Sequence, residues 1–178
     1  SPVKAGVLWA GSDDGLIHVT TDDGKHWANV TPDVVAGRYI SRIEASYADV
    51  DTAYVTVDGH RTHDYSPCVL MTSDRGKTWK DITSNLPGRR TAMVIREDRF
   101  NANVLYLGTE NAVYVSLDRG GEWIKVHAQA LPTVPVYDIK QHARETDLVL
   151  GTHGLSIWIL DSARWISELT PEVLAKPL

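Results

Sequence analysis

Five residues that could do chemistry crowd into one short stretch: Asp58, His60, Arg61, His63 and Asp64 lie within Asp58-Gly59-His60-Arg61-Thr62-His63-Asp64-Tyr65-Ser66-Pro67. Imidazole and carboxylate at such spacing could hold zinc or another divalent ion if His153 or Asp14 completed the shell. The plainer reading is a solvated polar loop in which Arg61 pairs with a neighbouring acid, and no metal is assigned. Asp13, Asp14, Asp58, Asp64 and Glu110 also supply acids for glycoside cleavage, which needs one protonated and one ionised carboxyl facing each other across a sugar. Spacing along the chain puts no two of them at the required separation. No catalytic residue is therefore assigned, and an enzyme reading would rest on Asp58 and Glu110.

Other chemistries are excluded more simply. No Gly-rich phosphate loop leads from a strand into a helix, and no Gly-x-Ser-x-Gly elbow is present. The net charge of -5 comes without a clustered basic face, so nucleic acid is not a partner. Cys68 is the only cysteine, which removes an intramolecular disulfide and any multi-cysteine metal site. No cofactor is called for. With 178 residues, 43% of them hydrophobic, the chain can bury a sizeable core. No apolar run approaches the roughly 20 residues of a membrane span. Ser1-Pro2-Val3-Lys4 is not a signal peptide, and the missing initiator Met leads us to expect a processed chain or an excised piece.

The elements that must position these residues follow from a repeat. Thr72-Ser73-Asp74-Arg75-Gly76-Lys77-Thr78-Trp79 has the pattern hydroxyl, any, Asp, any, Gly, two residues, Trp. It recurs with Thr20, Asp22, Gly24 and Trp27, and again with Ser116, Asp118, Gly120 and Trp123. A degenerate fourth copy surrounds Asp161 and Trp165. The four tryptophans are 52, 44 and 42 residues apart, a period expected of propeller blades. Short β-branched and aromatic runs flank each box: residues 7–11, 104–108 and 148–151 before it, then 16–20, 68–72, 112–116 and 156–160. A third strand begins at each Trp. Further candidates at 40–46, 92–97 and 136–141 give the second, third and fourth units four antiparallel strands each and leave the first with three.

The predicted fold is thus an all-β propeller of about four blades. An incomplete blade spans 1–31, a blade with inserted loop 58–67 spans 40–83, a third spans 91–127 and a degenerate fourth spans 135–169. The tail 170–178 leaves the sheet, and Thr170-Pro171-Glu172 reads as a helix start. In each box the Asp accepts main-chain N–H groups of its own turn, the Gly permits positive φ, and the Trp packs between sheets. A calcium loop would need a spaced set of oxygen ligands that one or two carboxylates per box do not supply.

The pattern resembles the Asp-box, or BNR, repeat of sialidases, xyloglucan-cleaving glycosidases and sortilin-type (VPS10) receptors. Residues 9–15, 58–61, 107–110 and 150–154 further resemble the last part of large bacterial sortilin-like proteins, often labelled glycosyl hydrolases with BNR repeats. The resemblance implies a propeller that continues upstream, an extracytoplasmic setting in the secreted fraction or cell envelope, and no demonstrated activity. A sialidase would need an arginine triad and a Tyr nucleophile with a Glu partner. Ser41-Arg42-Ile43-Glu44 lacks both the Phe and the Pro of the Phe-Arg-Ile-Pro motif of those enzymes.

In such a ring the loops between second and third strands share a face with the links between blades. That face would gather Asp13, Asp14, Asp58, His60, Arg61, His63, Asp64, Glu110 and His153 as the ligand site, for a peptide, protein or glycan. Arg42 with Glu44, Arg96 with Asp98, and Asp138 with Lys140 would line the central channel. His18, His26, His127 and His142 look structural, and Trp9, Trp158 and Trp165 are expected in the core. The first blade lacks its innermost strand, so the ring is expected to be a fragment or to be completed by a second copy.

Overall fold

The computed structural model describes residues 1–35, 37–126, 131, 133–170 and 173. The fold starts from the box turn. In the second box the Thr72 hydroxyl donates to Asp74 at 2.8 Å and accepts the Gly76 N–H at 2.8 Å, while Asp74 accepts the Thr78 N–H and hydroxyl at 2.9 and 2.7 Å. Ser116, Asp118 and Gly120 repeat the first two bonds at 2.8 Å each. Two successive residues are left-handed in each of the first three boxes, Asp23-Gly24, Arg75-Gly76 and Arg119-Gly120, with φ between 59° and 88°. Only the second is a glycine. The first is held there by its N–H, which donates to the carbonyl of Gly6, Asp51 or Asn103, shortly before the strand that pairs with the one leading into the box.

Four antiparallel sheets follow the chain in order. The first holds β1 (Leu8–Gly11), β2 (Ile17–Thr20) and β3 (Ala28–Asn29). The second holds β4 (Tyr39–Ala45), β5 (Ala53–Asp58), β6 (Val69–Thr72) and β7 (Lys80–Asp81). The third holds β8 (Ala92–Glu97), β9 (Leu105–Thr109), β10 (Val113–Ser116) and β11 (Ile124–Lys125). The fourth holds β12 (Val136–Gln141), β13 (Leu148–Thr152) and β14 (Ile157–Leu160), followed by α1 (Arg164–Ser167). They are the blades of a propeller whose arc is not closed. Each of β4, β8 and β12 shifts register near its start, between Ile40 and Arg42, Ala92 and Val94, and Val136 and Asp138. The repeated bulge bends every inner strand at the same height.

Strand alternation buries both faces of the middle blades. Leu105 and Leu107 of β9 join Tyr54, Val69, Ile82 and Ile95 in the core between the second and third sheets, whereas Val104 and Tyr106 join Val136, Ile139 and Leu150 beyond it. Ile17, Val35, Ile40, Val55 and Leu70 fill the space between the first and second sheets. The end sheets have one unpartnered face each. Ile157 and Ile159 are 65% and 59% exposed, while Trp158 between them packs inward.

The fourth sheet departs from the four strands expected of it. By strand register Leu160 stands at the hydroxyl position of the box and Arg164 where the other boxes carry glycine, and the turn differs accordingly: Ser162 alone is left-handed, at 54°. The chain then coils into α1 instead of extending, with Ala163 and Ile166 buried against the third sheet. Trp165, expected in the core, is exposed on that helix. The first sheet lacks an inner strand, as expected. Most of the predicted tail helix, 171–172 and 174–178, lies outside the described residues, as does His127.

Candidate functional site

β1, β5, β9 and β13 meet the strand that follows each of them at an equivalent register. Gly11, Thr56, Gly108 and Gly151 each pair with the first residue of the strand that follows, Ile17, Val69, Val113 and Ile157. Two residues beyond each stands an ionisable side chain: Asp13, Asp58, Glu110 and His153. Four equivalent positions therefore project at one mouth of the propeller, and the 58–67 insertion sits among them.

The insertion organises this rim. A single 3-10 turn, His60–Thr62, closes on His63, which adopts a left-handed conformation and donates its N–H to the His60 carbonyl at 3.1 Å. Asp58 accepts the His60 N–H at 2.8 Å and meets its ring Nδ1 at 2.7 Å. The ring's other nitrogen, Nε2, lies 3.3 Å from Glu110 of the neighbouring blade, and the Tyr65 ring packs edge-on at 5.1 Å. One imidazole thus stands between two carboxylates from two blades. Arg61 pairs with Asp13 of the first blade at 3.2 Å and lies over the Tyr39 ring, so the inserted loop touches both of its neighbours.

The remaining predicted residues are placed apart. Asp64 turns to Arg38 at 3.2 Å and accepts the Ser66 N–H; that backbone bond first, and Arg38 last, hold its carboxyl below the usual range. Asp14 folds back on the Ser12 hydroxyl, which lowers its pKa. His63 is exposed at the end of the turn, and His153 packs on Tyr137 with ring centroids 5.6 Å apart. His60, His63, Asp64, His153 and Asp14 do not converge, and among the described residues no group of three His, Cys, Asp or Glu side chains is placed to hold a metal ion. The supporting aromatics Tyr39, Tyr65 and Tyr137 carry no motif that sequence reasoning could have used.

The channel wall carries a second charged group. Arg96 of β8 donates to Glu44 of β4, to Asp138 of β12 and to the Ile139 carbonyl, each at 2.7 Å, and Arg42 reaches Asp138 at 3.0 Å. Three blades are tied by one guanidinium. Burial pushes the Glu44 carboxyl up, against the opposing pull of Arg96. Asp98, expected beside Arg96 in the channel, is instead fully buried, accepting from Tyr106 (2.8 Å), Gln141 (2.7 Å) and Ser167 (2.7 Å). Strand alternation does not extend to it because β8 ends at Glu97.

Comparison with known proteins bears on the fold. The family described as Sortilin, neurotensin receptor 3 (Sortilin-Vps10) matches residues 68–163. No curated protein matches the sequence. Among solved structures, the GH74 xyloglucanase from Xanthomonas campestris superposes with a TM-score of 0.71 at 20% identity, covering 92% of this chain and 28% of that one. YCF48 bound to D1 peptide gives 0.65 at 15%, covering 90% and 49%, and YCF48 from Cyanidioschyzon merolae gives 0.62 at 20%, covering 84% and 47%. The chain spans less than half the length of each. At these identities it is the propeller that is shared.

Proposed function

This chain belongs to the sortilin (Vps10) family, and from that premise we propose that it is a non-catalytic propeller module that binds a peptide, protein or glycan. The binding face is the mouth carrying the 58–67 loop. The observation that carries this reading is the His60 bridge: its ring occupies the space between Asp58 and Glu110, where a paired-carboxylate mechanism needs a sugar. A rim of charged groups already held by Tyr39, Tyr65 and Tyr137 is suited to recognition, because aromatic bodies with polar tips give contact area at low entropic cost. That one structural neighbour is a propeller bound to a peptide supports the peptide option.

A second reading, glycoside hydrolysis by Asp58 and Glu110, is favoured by the GH74 enzymes among the neighbours. A panel of aryl glycosides and polysaccharides, run beside peptide and glycan arrays, separates the two. We expect saturable binding without turnover. Turnover abolished by Asp58→Asn or Glu110→Gln would overturn the binding reading. The same proposal places the protein in the secreted fraction or cell envelope, which fractionation of the producing cells checks. Among the described residues no helix is long and apolar enough to cross a membrane.

A further inference from the structure

The fourth blade departs from its neighbours at the mouth. Each inner strand carries one extra residue where its register shifts, and these residues are Ser41, Met93 and Tyr137. Ser41 is tied down, its hydroxyl 2.9 Å from that of Thr56 and 3.1 Å from the Ala92 carbonyl. Met93 is buried at 4% exposure, whereas Tyr137 is 51% exposed. The rim positions differ in the same place. Asp13, Asp58 and Glu110 each meet a basic side chain, Arg61 or His60, but His153 meets the Tyr137 ring, with 45° between the ring planes.

A polar pair borders this aromatic one. Arg42 and Asp138 each follow the bulge residue, on β4 and β12, and Arg42 Nη2 donates to Asp138 Oδ1 at 3.0 Å and to the Tyr137 carbonyl at 3.4 Å. Asp138 Oδ1 accepts from Arg96 and from the Ile139 N–H as well, so one oxygen takes three donors. Among the described residues Asp138 Oδ2 and Arg42 Nη1 have no hydrogen-bond partner, and the two side chains are 43% and 32% exposed. Strand alternation would turn one of two neighbours away from solvent; at the bulge Tyr137 and Asp138 both reach it.

These groups match a sugar ring. Its C–H edges carry slight positive charge and stack on the negative face of an aromatic ring, while one hydroxyl donates to a carboxylate and the next accepts from a guanidinium. A charged ligand would meet one member of the Arg42–Asp138 pair as a like charge, so the pair selects a neutral one. We propose that Tyr137, His153, Asp138 and Arg42 form a subsite for a neutral pyranose. Tyr137 stacks on the sugar, Asp138 Oδ2 accepts from one hydroxyl and Arg42 Nη1 donates to its neighbour. The subsite rests on the mouth being the binding face and narrows the ligand to a glycan.

The test titrates the whole chain with neutral oligosaccharides of gluco, manno and galacto configuration, and with neutral peptides, reading Kd by calorimetry. We expect an oligosaccharide to bind. Tyr137→Ala should weaken it at least about tenfold, and Tyr137→Phe, which keeps the ring, should stay within about twofold. Arg42→Met, which removes the donor while Arg96 still holds Asp138, should weaken it about tenfold. Oligosaccharide binding unchanged by Tyr137→Ala and Arg42→Met overturns the subsite; if Asp58→Asn or Glu110→Gln abolishes that binding, the mouth reading survives. Binding of peptides alone overturns the glycan assignment. No saturable binding of any probe by the folded chain overturns the subsite and the mouth reading together.

Discussion

The first and third boxes contain the same turn with the same hydroxyl-to-Asp bond, yet one tryptophan is buried and the other is 44% exposed. The difference teaches where box energy resides. Local turn chemistry folds the hairpin, but the stability comes from what the preceding sheet brings to it. On the proposed function the box residues are scaffold, and the comparison predicts that their worth depends on position along the arc.

The sharpest way to break this comparison is to remove the rings. Trp123→Ala should cost about 3–5 kcal/mol in urea unfolding, since it leaves a cavity between two sheets and the Ile82 carbonyl unpaired. Trp27→Ala should stay within about 0.5 kcal/mol, as expected for an exposed side chain. Equal losses would end the distinction. Next in size, Gly120→Ala meets both a positive φ and the Ile82 side chain and should cost about 2–4 kcal/mol, against about 1–2 for Gly24→Ala, which meets only the first.

Acid sharpens it further. The His26 side chain first, then its N–H and the Thr20 hydroxyl, hold the Asp22 carboxyl down to about 2, and the bonds of Thr78 lower Asp74. A depressed carboxyl contributes stability in full above its ordinary value of 3.8 and loses it as pH falls towards about 2. The raised Glu44 works the other way: its contribution is present below 4.5 and is lost as pH rises through the raised value. Urea midpoints between pH 2 and 6 should lose part of their acid slope in Asp22→Asn, and Glu44→Gln should remove an opposing slope.

Much of this was legible in the sequence because it is local. The box declares its turn through Asp74, Gly76 and Trp79, and the tryptophan period declares blades. Asp13, Glu110 and His153 could have been aligned directly, each two residues past a strand glycine, with Asp58 completing the set from Thr56. What escaped depends on tertiary geometry. The fourth box has Leu160 at the hydroxyl position and Arg164 at the glycine position, and α1 follows where a strand was predicted, while the curvature of the arc brought Arg96 to Glu44 and Asp138 and drew Asp98 into the core. The bridge from His60 to Glu110 needed two blades at a known separation.

The rim too should show only small stability effects: Asp58→Asn and Glu110→Gln should each change unfolding by less than about 1 kcal/mol, since their partner His60 is partly solvated. That makes the rim the cleanest place to ask about function. The most direct measurement is binding of the wild type, Asp58→Asn, Glu110→Gln and Asp22→Asn to one peptide and glycan array. We predict that the two rim variants lose the wild-type signal and the box variant keeps it. A signal lost with Asp22 and retained without Asp58 and Glu110 would contradict the assignment of boxes to scaffold and rim to recognition.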